Sequence, residues 1–285
     1  MTVHSTHQIP LRNGVLALGP MPLIMGILNV TPDSFSDGGE YTTLNLALSH
    51  TKTMLEEGAD LIDIGGESTR PGANEVTTQH ELDRVVPVIQ HLVAEGIKVP
   101  LSIDTYKAVV ADQAIQAGAS IINDVHGLQR EPEMADVAAL YGTPVVIMHW
   151  DRSREISLDL IGEMKRYFEK SISIADKAGI ERKKLILDPG FGFGKTHAEN
   201  FELLRRLDEL TTLGHPLLIG TSRKSMLGTL LDVPAKERVV ATAATSVLAY
   251  EKGAHLFRVH DVKENRQALQ VAVATRYGPP LVEGP

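Results

Sequence analysis

The chain repeats one pattern eight times: a short apolar run, often β-branched, precedes a longer segment with helical character. The apolar runs lie at residues 25–30, 60–65, 99–104, 121–125, 144–149, 184–188, 216–221 and 255–260. The segments between them finish at glycine, which is typical of the end of a helix. Strands that alternate with helices in this way build a parallel sheet.

Eight such units predict an α/β fold of the (β/α)8 TIM-barrel type. An open doubly wound sheet is the alternative, but that fold usually has about five or six strands. No linker rich in Pro, Ser or Gly divides the chain, so we expect residues 1–285 to form a single domain. The turn sequence Arg12-Asn13-Gly14 predicts an N-terminal β-hairpin within residues 1–22, which would close the bottom of the barrel.

The composition excludes several functional classes. The chain has no cysteine, which rules out disulfides, thiolate catalysis and cysteine-ligated zinc. A net charge of −8, with no long run of Lys or Arg, argues against a nucleic-acid partner. The sequence shows no signal peptide, and no apolar run approaches the roughly 20 residues of a membrane span. We therefore expect a cytoplasmic globular protein that acts on small molecules.

Polar side chains end seven of the eight predicted strands. These residues are Asn29, Asp104, Asn123, Asp124, His149, Asp188, Ser222, Arg223, Lys224, Arg258 and His260. In a barrel the C-terminal ends of all strands meet at one face, and active sites are built there. Any one of these residues could instead cap the helix that follows it, but seven strand ends together favour one site.

Asp104, Asn123 and Asp188 provide two carboxylates, which only accept hydrogen bonds, and an amide that both accepts and donates. This set suits a flat heterocycle with adjacent N–H donors, such as a 2-amino-4-oxo-pyrimidine ring. Coordination of Mg²⁺ is the competing interpretation, because Asp and Asn oxygens are also magnesium ligands.

Asn29, Arg70, Arg258 and His260 form a second set, which suits a polyanion such as pyrophosphate. The Arg-x-His spacing places both side chains on the same side of a strand. Phosphate sites also recur near the last strands of this fold. Taken alone, Arg258 could equally be a structural ion-pair partner.

Two later loops carry further candidates. Residues 188–196 match a phosphate-binding loop at Gly194-Lys195-Thr196, but Pro189 stands where the first glycine is required, which disfavours a nucleotide triphosphatase. This loop more naturally presents Phe191 or Phe193 to an aromatic ligand.

Residues 221–226 open a helix whose free N–H groups, with Ser225, suit a carboxylate. Lys224 in the same segment could reach a ring carbonyl of the ligand. It could instead form a Schiff base, with its pKa lowered by the neighbouring Arg223.

The first apolar run leads into a polar loop, residues 31–39, that is too long for a simple turn. It contains two carboxylates, Asp33 and Asp37, and ends in a glycine pair. Functional residues often lie on such loops, where a rigid strand positions them. An ordinary Asx-rich turn is the alternative.

Five motifs, GILNVTPDSFSDGG, GGESTRPG, LDPGFGFGK, TSRKSMLG and RVHDV, occur in this order between Gly26 and Lys263. Together they resemble the dihydropteroate synthases, which belong to the pterin-binding enzyme superfamily. That family joins 6-hydroxymethyl-7,8-dihydropterin pyrophosphate to para-aminobenzoate, forming 7,8-dihydropteroate and pyrophosphate. The resemblance implies a transferase of folate biosynthesis with a TIM barrel, in agreement with the strand count.

The resemblance also implies roles for residues within the motifs. The pterin would be bound by Asp104, Asn123, Met148, Asp188 and Lys224. The pyrophosphate would be bound by Asn29, Thr69, Arg258 and His260, with Asn29 also a ligand of Mg²⁺. The para-aminobenzoate site would consist of Phe35, Arg70, Pro71, Phe193, Lys224 and Ser225. The catalytic residues would be Asp37, Asp104, Lys224, Arg258 and His260.

By the same resemblance, pyrophosphate leaves first and the arylamine attacks a pterin methylene cation. Residues 31–39 and 66–72 would form a lid, sulfonamides would compete with para-aminobenzoate, and the protein would be a homodimer. The sequence departs from the family at residues 151–155, to which no role is carried over. A pterin-binding methyltransferase and a catalytically idle paralogue remain alternatives.

Overall fold

The chain begins with a β-hairpin in the computed structural model, which describes residues 4–30, 40–68, 75–155 and 157–279. Strands β1 (His7–Leu11) and β2 (Gly14–Leu18) pair antiparallel, with Leu11 opposite Gly14. The backbone of Gly14 has φ +112°, a conformation that side chains with a Cβ rarely adopt. The predicted hairpin and its turn are confirmed.

Eight further strands, all parallel, form a second sheet. They are β3 (Leu23–Asn29), β4 (Leu61–Gly65), β5 (Leu101–Asp104), β6 (Ile121–Asp124), β7 (Val145–Met148), β8 (Leu185–Asp188), β9 (Leu218–Ile219) and β10 (Leu256–Val259). Each of β3 to β7 pairs with the next strand in the chain, and β10 lies between β3 and β9. A parallel bridge between Leu187 and Leu217 joins β8 to the segment entering β9, so the strands form the predicted barrel.

Nine α-helices were found among the described residues. They are α1 (Glu40–Glu56), α2 (Thr78–Ala94), α3 (Ala108–Ala117), α4 (Glu133–Tyr141), α5 (Leu160–Ala178), α6 (His197–Arg205), α7 (Ser225–Leu231), α8 (Val239–Glu251) and α9 (Val262–Tyr277). The helical segment predicted between the apolar runs 184–188 and 216–221 contains a shorter α-helix than expected, because the backbone leaves the α-helical region at Arg206 and continues as a 3-10 helix. Within the described ranges, no helix combines the length and apolar character needed to span a membrane.

The interior of the barrel is filled at the end where the strands begin. Three hairpin side chains, Ile9, Leu16 and Leu18, pack there against residues near the starts of the barrel strands, which are Met25, Leu61, Ile121, Val146, Ile186, Leu218 and Leu256. A separate and larger core lies between the barrel and its helices. The hairpin therefore occupies the bottom of the barrel, while the opposite end is left to polar side chains. That residues 1–285 are one domain stays a prediction.

Replacing Ile9 with alanine should lower the free energy of unfolding by about 2–5 kcal/mol, because the fully buried side chain would leave a cavity at the bottom of the barrel. Val15, in the other strand of the hairpin, is more than half exposed, and Val15→Ala should change stability by less than about 0.5 kcal/mol. Urea denaturation measures both. Equal effects for the two variants would contradict the packing of the hairpin against the barrel.

Candidate active site

Strand register places the first group of site residues side by side at the C-terminal end of the barrel. Asn29 lies opposite Gly65, Gly65 opposite Asp104, and Asp104 opposite Asn123. Gly65 has no side chain, and a Cβ there would be 3.5 Å from Asp104 Oδ2 and 3.7 Å from Asn29 Oδ1. An oxygen of Asn29 and an oxygen of Asp104 therefore both border the bare position of Gly65.

Below this row, Arg258 joins two carboxylates. Its Nε donates to Asp63 Oδ2 at 2.6 Å, and its Nη2 donates to Asp104 Oδ2 at 2.7 Å. Asn123 Nδ2 donates to the same Asp63 oxygen at 3.0 Å. One buried network thus connects a predicted pyrophosphate ligand with two predicted pterin ligands.

Asp63, the centre of this network, was not predicted as a site residue. Its side chain is completely buried in β4, between Ile62 and Ile64. A charge buried in an apolar strand is costly unless it is paired, so an acid at this position should have indicated a facing cation. The partner is 195 positions away in the sequence, which is why no local pattern pointed to it.

The environment of Asp104 favours its neutral form. Burial is the largest influence and, with the nearby charge of Asp63, raises the pKa of Asp104 to about 7, while Arg258 opposes this shift. Asp104 Oδ1 is buried and has no hydrogen-bond partner within the described residues. Because an unsatisfied buried acceptor is costly, this oxygen is suited to a ligand that brings an N–H donor.

Asp188 ends β8 and starts the glycine-rich loop. Its Oδ1 accepts a hydrogen bond from the amide of Gly190 at 2.7 Å, and burial raises its pKa against the effect of Lys224. Gly190 has φ +67°, and a Cβ there would lie 2.1 Å from the carbonyl oxygen of His149. The sharp turn after Asp188 therefore requires glycine.

The same loop brings Phe193 to Lys224, whose Nζ lies 4.6 Å from the ring centroid. Of the two predicted phenylalanines, Phe191 is fully buried in the main core, and its carbonyl oxygen accepts a hydrogen bond from Lys224 Nζ. Phe193 is the one that remains available to a ligand.

Burial lowers the pKa of Lys224 to about 8, with Arg258 acting in the same direction and Asp188 and Asp104 opposing it. The prediction that Arg223 lowers this pKa is wrong. Arg223 is directed to Asp261, to which its Nε donates at 3.0 Å.

Met148, at the end of β7 and opposite Asp188, belongs to an apolar cluster at the mouth of the barrel. Four rings form a row beside it: Tyr106 and His126 lie 5.3 Å apart, His126 and Trp150 are stacked at 4.5 Å, and Trp150 lies 5.0 Å from Phe193. Tyr106, His126 and Trp150 were not predicted as site residues. All three follow strand ends closely, which was the available signal.

The loop after β9 is fixed by contacts with α8 and β10. Ser222 Oγ accepts a hydrogen bond from the backbone N–H of His260 at 3.1 Å and lies 3.0 Å from its Nδ1. Arg238 Nη1 donates to the carbonyls of Arg223 at 2.9 Å and Lys224 at 3.3 Å. Ser225 follows as the first residue of α7 and is exposed.

Five of the predicted site residues, Phe35, Asp37, Thr69, Arg70 and Pro71, lie outside the described residues. The start of the segment that carries the last three is described. Arg84 Nη1 donates to the carbonyl of Gly66 at 2.7 Å, and Lys107 forms ion pairs with both Glu67 and the buried Glu81.

Residues 151–155, for which no role was predicted, pack against the glycine-rich loop. Arg154 is buried, forms an ion pair with Glu199 of α6 and donates to the carbonyl of Gly194 at 3.4 Å. Asp151 Oδ1 accepts from the amide and hydroxyl of Ser153, each at 2.7 Å.

Comparison with known proteins identifies the family. A family model described as "Pterin binding enzyme" matches residues 25–260. Dihydropteroate synthase from Bacillus subtilis is 48% identical over 263 residues, which cover 92% of each chain. This chain belongs to the dihydropteroate synthase family. The family and the transferase class predicted from the motifs are confirmed.

Solved structures of dihydropteroate synthases show the same fold. That of Clostridium difficile, determined in the presence of pteroic acid, is 48% identical, with a TM-score of 0.88 and coverage of 91% of this chain and 98% of that one. That of Yersinia pestis in complex with a sulfonamide drug is 48% identical, with a TM-score of 0.86 and coverage of 94% and 98%. The predicted TIM barrel is therefore confirmed by relatives as well as by strand order.

Two variants of the network around Arg258 should shift the pKa of Asp104 in opposite directions. Asp63→Asn should lower the pKa of Asp104, because it removes a nearby negative charge, whereas Arg258→Met should raise that pKa by removing the cation. Carboxyl ¹³C NMR titration of the ligand-free protein measures both shifts. Asp83→Asn, at an exposed position of α2, serves as the control. Shifts of the same sign in the two test variants would contradict the network.

Proposed function

We propose that the chain condenses 6-hydroxymethyl-7,8-dihydropterin pyrophosphate with para-aminobenzoate, forming 7,8-dihydropteroate and releasing pyrophosphate. The observation that carries the proposal is the row in which Asp104, with its unsatisfied buried oxygen, lies beside Asn123 and above Arg258. A hydrogen-bond acceptor for the pterin, Asp104, is thereby bonded directly to the cation for its leaving group, Arg258.

The pterin would lie among Asp104, Asn123 and Asp188. Its ring N–H and amino group would donate to the carboxylates, and the amide of Asn123 can match a donor or an acceptor. Asp188 uses one oxygen to bind Gly190, which leaves the other for the ligand. Met148 would pack on the ring, and Lys224 would donate to its carbonyl oxygen.

The pyrophosphate would be bound by Arg258, His260 and Asn29, with Thr69 from outside the described residues. Arg258 uses one N–H on Asp63 and one on Asp104, and a guanidinium has five N–H donors, so three remain for phosphate oxygens. His260 is positioned for this role by Ser222.

Mg²⁺ fits the oxygen donors at this end of the barrel. Asn29 Oδ1 and Asp104 Oδ2 both border the bare position of Gly65, and Mg²⁺ usually takes few protein ligands, completing its shell with water and substrate phosphates. The described residues contain no cluster of three or more His, Cys, Asp or Glu that could hold a metal without such help. We propose Asn29 as the protein ligand, and the ion would neutralise charge on the departing pyrophosphate.

In the reaction, the bond between the pterin methylene carbon and the phosphate oxygen breaks, and pyrophosphate keeps the electron pair. Arg258 and His260 stabilise the negative charge that develops on it. The remaining methylene cation is stabilised by the electron-rich pterin ring, by Asp104 in its ionised form and by Asp37. The amine of para-aminobenzoate then attacks the carbon and loses one proton. No protein nucleophile is needed.

The arylamine would bind at the outer side of the pterin, against Phe193 and the stem of Lys224. Its carboxylate would lie near Ser225, with Phe35, Arg70 and Pro71 completing the site. We propose that sulfonamides bind here as well, since the Yersinia pestis relative has been solved in complex with such a drug.

We further propose a homodimer that works in the cytoplasm. Val240 and Leu248 of α8 and Leu230 of α7 are exposed apolar side chains. A second copy could cover them. Sedimentation analysis tests the dimer and cell fractionation tests the location.

Asp188→Ala should weaken binding of the dihydropterin pyrophosphate by about 100-fold or more, because a buried charged acceptor would be lost. Isothermal titration calorimetry measures this affinity, and Asp136→Ala at an exposed position of α4 is the matched control. An unchanged pterin affinity in Asp188→Ala would overturn the proposed pterin site.

Asn29→Ala should raise the Mg²⁺ concentration for half-maximal turnover by about tenfold, consistent with the loss of one ligand contact. Turnover is followed as pyrophosphate released in the presence of both substrates, and Asn45→Ala on the exposed side of α1 is the control. The same assay separates the rivals. A methyltransferase or an idle paralogue would release no pyrophosphate.

A further inference from the structure

The geometry points to Lys195 as a positioning residue that holds Phe193 in place and thereby controls affinity for the arylamine. The inference rests on the function proposed above, because it concerns the second substrate of that reaction. Lys195 is one of the residues that match a phosphate-binding loop, but its ammonium is used within the protein.

Three acceptors surround the Lys195 ammonium. Its Nζ lies 2.9 Å from His149 Nδ1, 2.9 Å from the carbonyl oxygen of Gly190 and 3.0 Å from that of Phe193. An ammonium has three N–H donors, so its capacity matches the number of acceptors. Burial lowers the pKa of His149, so the imidazole is neutral and can accept through Nδ1.

Two of these acceptors are on the loop that carries Phe193. Gly190, Gly192 and Gly194 all have positive φ, at +67°, +80° and +60°, so the loop turns at every second residue. Glycine loses more conformational freedom on ordering than any other residue, so such a loop needs bonds to fix it. Asn200 Oδ1 accepts from the amide of Gly192 at 2.6 Å, while Lys195 binds the carbonyls on either side of that point.

The bond to the Phe193 carbonyl determines where the ring lies. That ring is 4.6 Å from Lys224 Nζ and 5.0 Å from the Trp150 ring. Releasing the carbonyl would allow the ring to leave Lys224, on whose stem the arylamine is proposed to pack. Pterin contacts at Asp104 and Asn123 come from other strands and would remain.

Charges from every neighbouring element act on Lys195. Burial has the largest effect and lowers the pKa to about 7, assisted by Lys224 and Arg154, while Asp188 and Glu199 oppose it. The neutral His149 completes the surroundings, with Tyr167 of α5 packed on its ring. Below pH 7 the side chain has three donors for three acceptors. Above pH 7 it has two, so the hydrogen bonding of Lys195 to the loop weakens as the pH rises.

Steady-state kinetics provide the first test. Lys195→Met should raise the KM for para-aminobenzoate by about tenfold, equivalent to one aromatic contact of about 1.4 kcal/mol, with kcat and the KM for the pterin substrate changed by no more than about twofold. Lys170→Met, on the exposed face of α5, should match the wild type. A loss confined to kcat, or to the pterin KM, would overturn the inference.

Chemical rescue separates the charge from the volume of the side chain. The chain has no cysteine, so Lys195→Cys introduces a single thiol, which can be alkylated in the unfolded protein before refolding. Reaction with 2-bromoethylamine restores an ammonium at nearly the original length, whereas iodoacetamide adds a neutral amide. We expect the first adduct alone to recover the wild-type KM. Equal recovery with both adducts, or recovery with neither, would refute the role of the ammonium.

Trp150 reports on the loop without any substrate. It is the single tryptophan of the chain and contacts Phe193, so its emission should titrate with a midpoint near pH 7 in the wild type and lose this step in Lys195→Met. The stacked His126, whose pKa is lowered to about 4, would titrate separately. An unchanged titration in the variant would refute the positioning role. If the emission responds as expected but neither the wild type nor Lys195→Met releases pyrophosphate, the proposed function is wrong. The contact between Lys195 and the loop is then still supported.

Discussion

The ion pair between Arg258 and Asp63 is the interaction on which the site depends. It crosses the inside of the barrel from β10 to β4, and Asp63 also binds Asn123, while Arg258 also binds Asp104. Removing one member of a buried pair costs about 3–5 kcal/mol, because the other charge stays buried without compensation. The acceptors proposed for the pterin and the cation proposed for its leaving group are therefore positioned by the same bonds, and none of them can shift alone.

Repeated strand–helix units and glycine helix ends were enough to predict the barrel and nearly all of its strands. The exception was β9, where only Leu218 and Ile219 of the predicted six residues form a strand. Pro216 cannot donate to a neighbouring strand, and the chain enters the loop soon after Ile219. Strand ends and motifs likewise indicated Asp104, Asn123, Asp188 and Arg258 as one site.

Contacts between distant parts of the chain could not be predicted in the same way. Asp63 and the row of four rings beside Met148 belong to the site because of contacts with residues that follow other strands. Local periodicity contains no information about those contacts. The glycine-rich loop shows the opposite error, in which a local pattern suggests the wrong chemistry. Lys195 binds carbonyls of its own loop, and Thr196 caps α6 by accepting from the amide of Glu199. Neither side chain is left for a nucleotide.

The register that aligns Asn29, Gly65, Asp104 and Asn123 has a consequence for how such a chain can change length during evolution. Side chains alternate along a strand, so inserting one residue between the start of β5 and Asp104 would turn the carboxylate to the opposite face. The same insertion in a loop at the bottom of the barrel would leave the row intact. Relatives should therefore differ in length around the helices and their connections, while the distance along the chain from each strand start to its polar end residue stays constant.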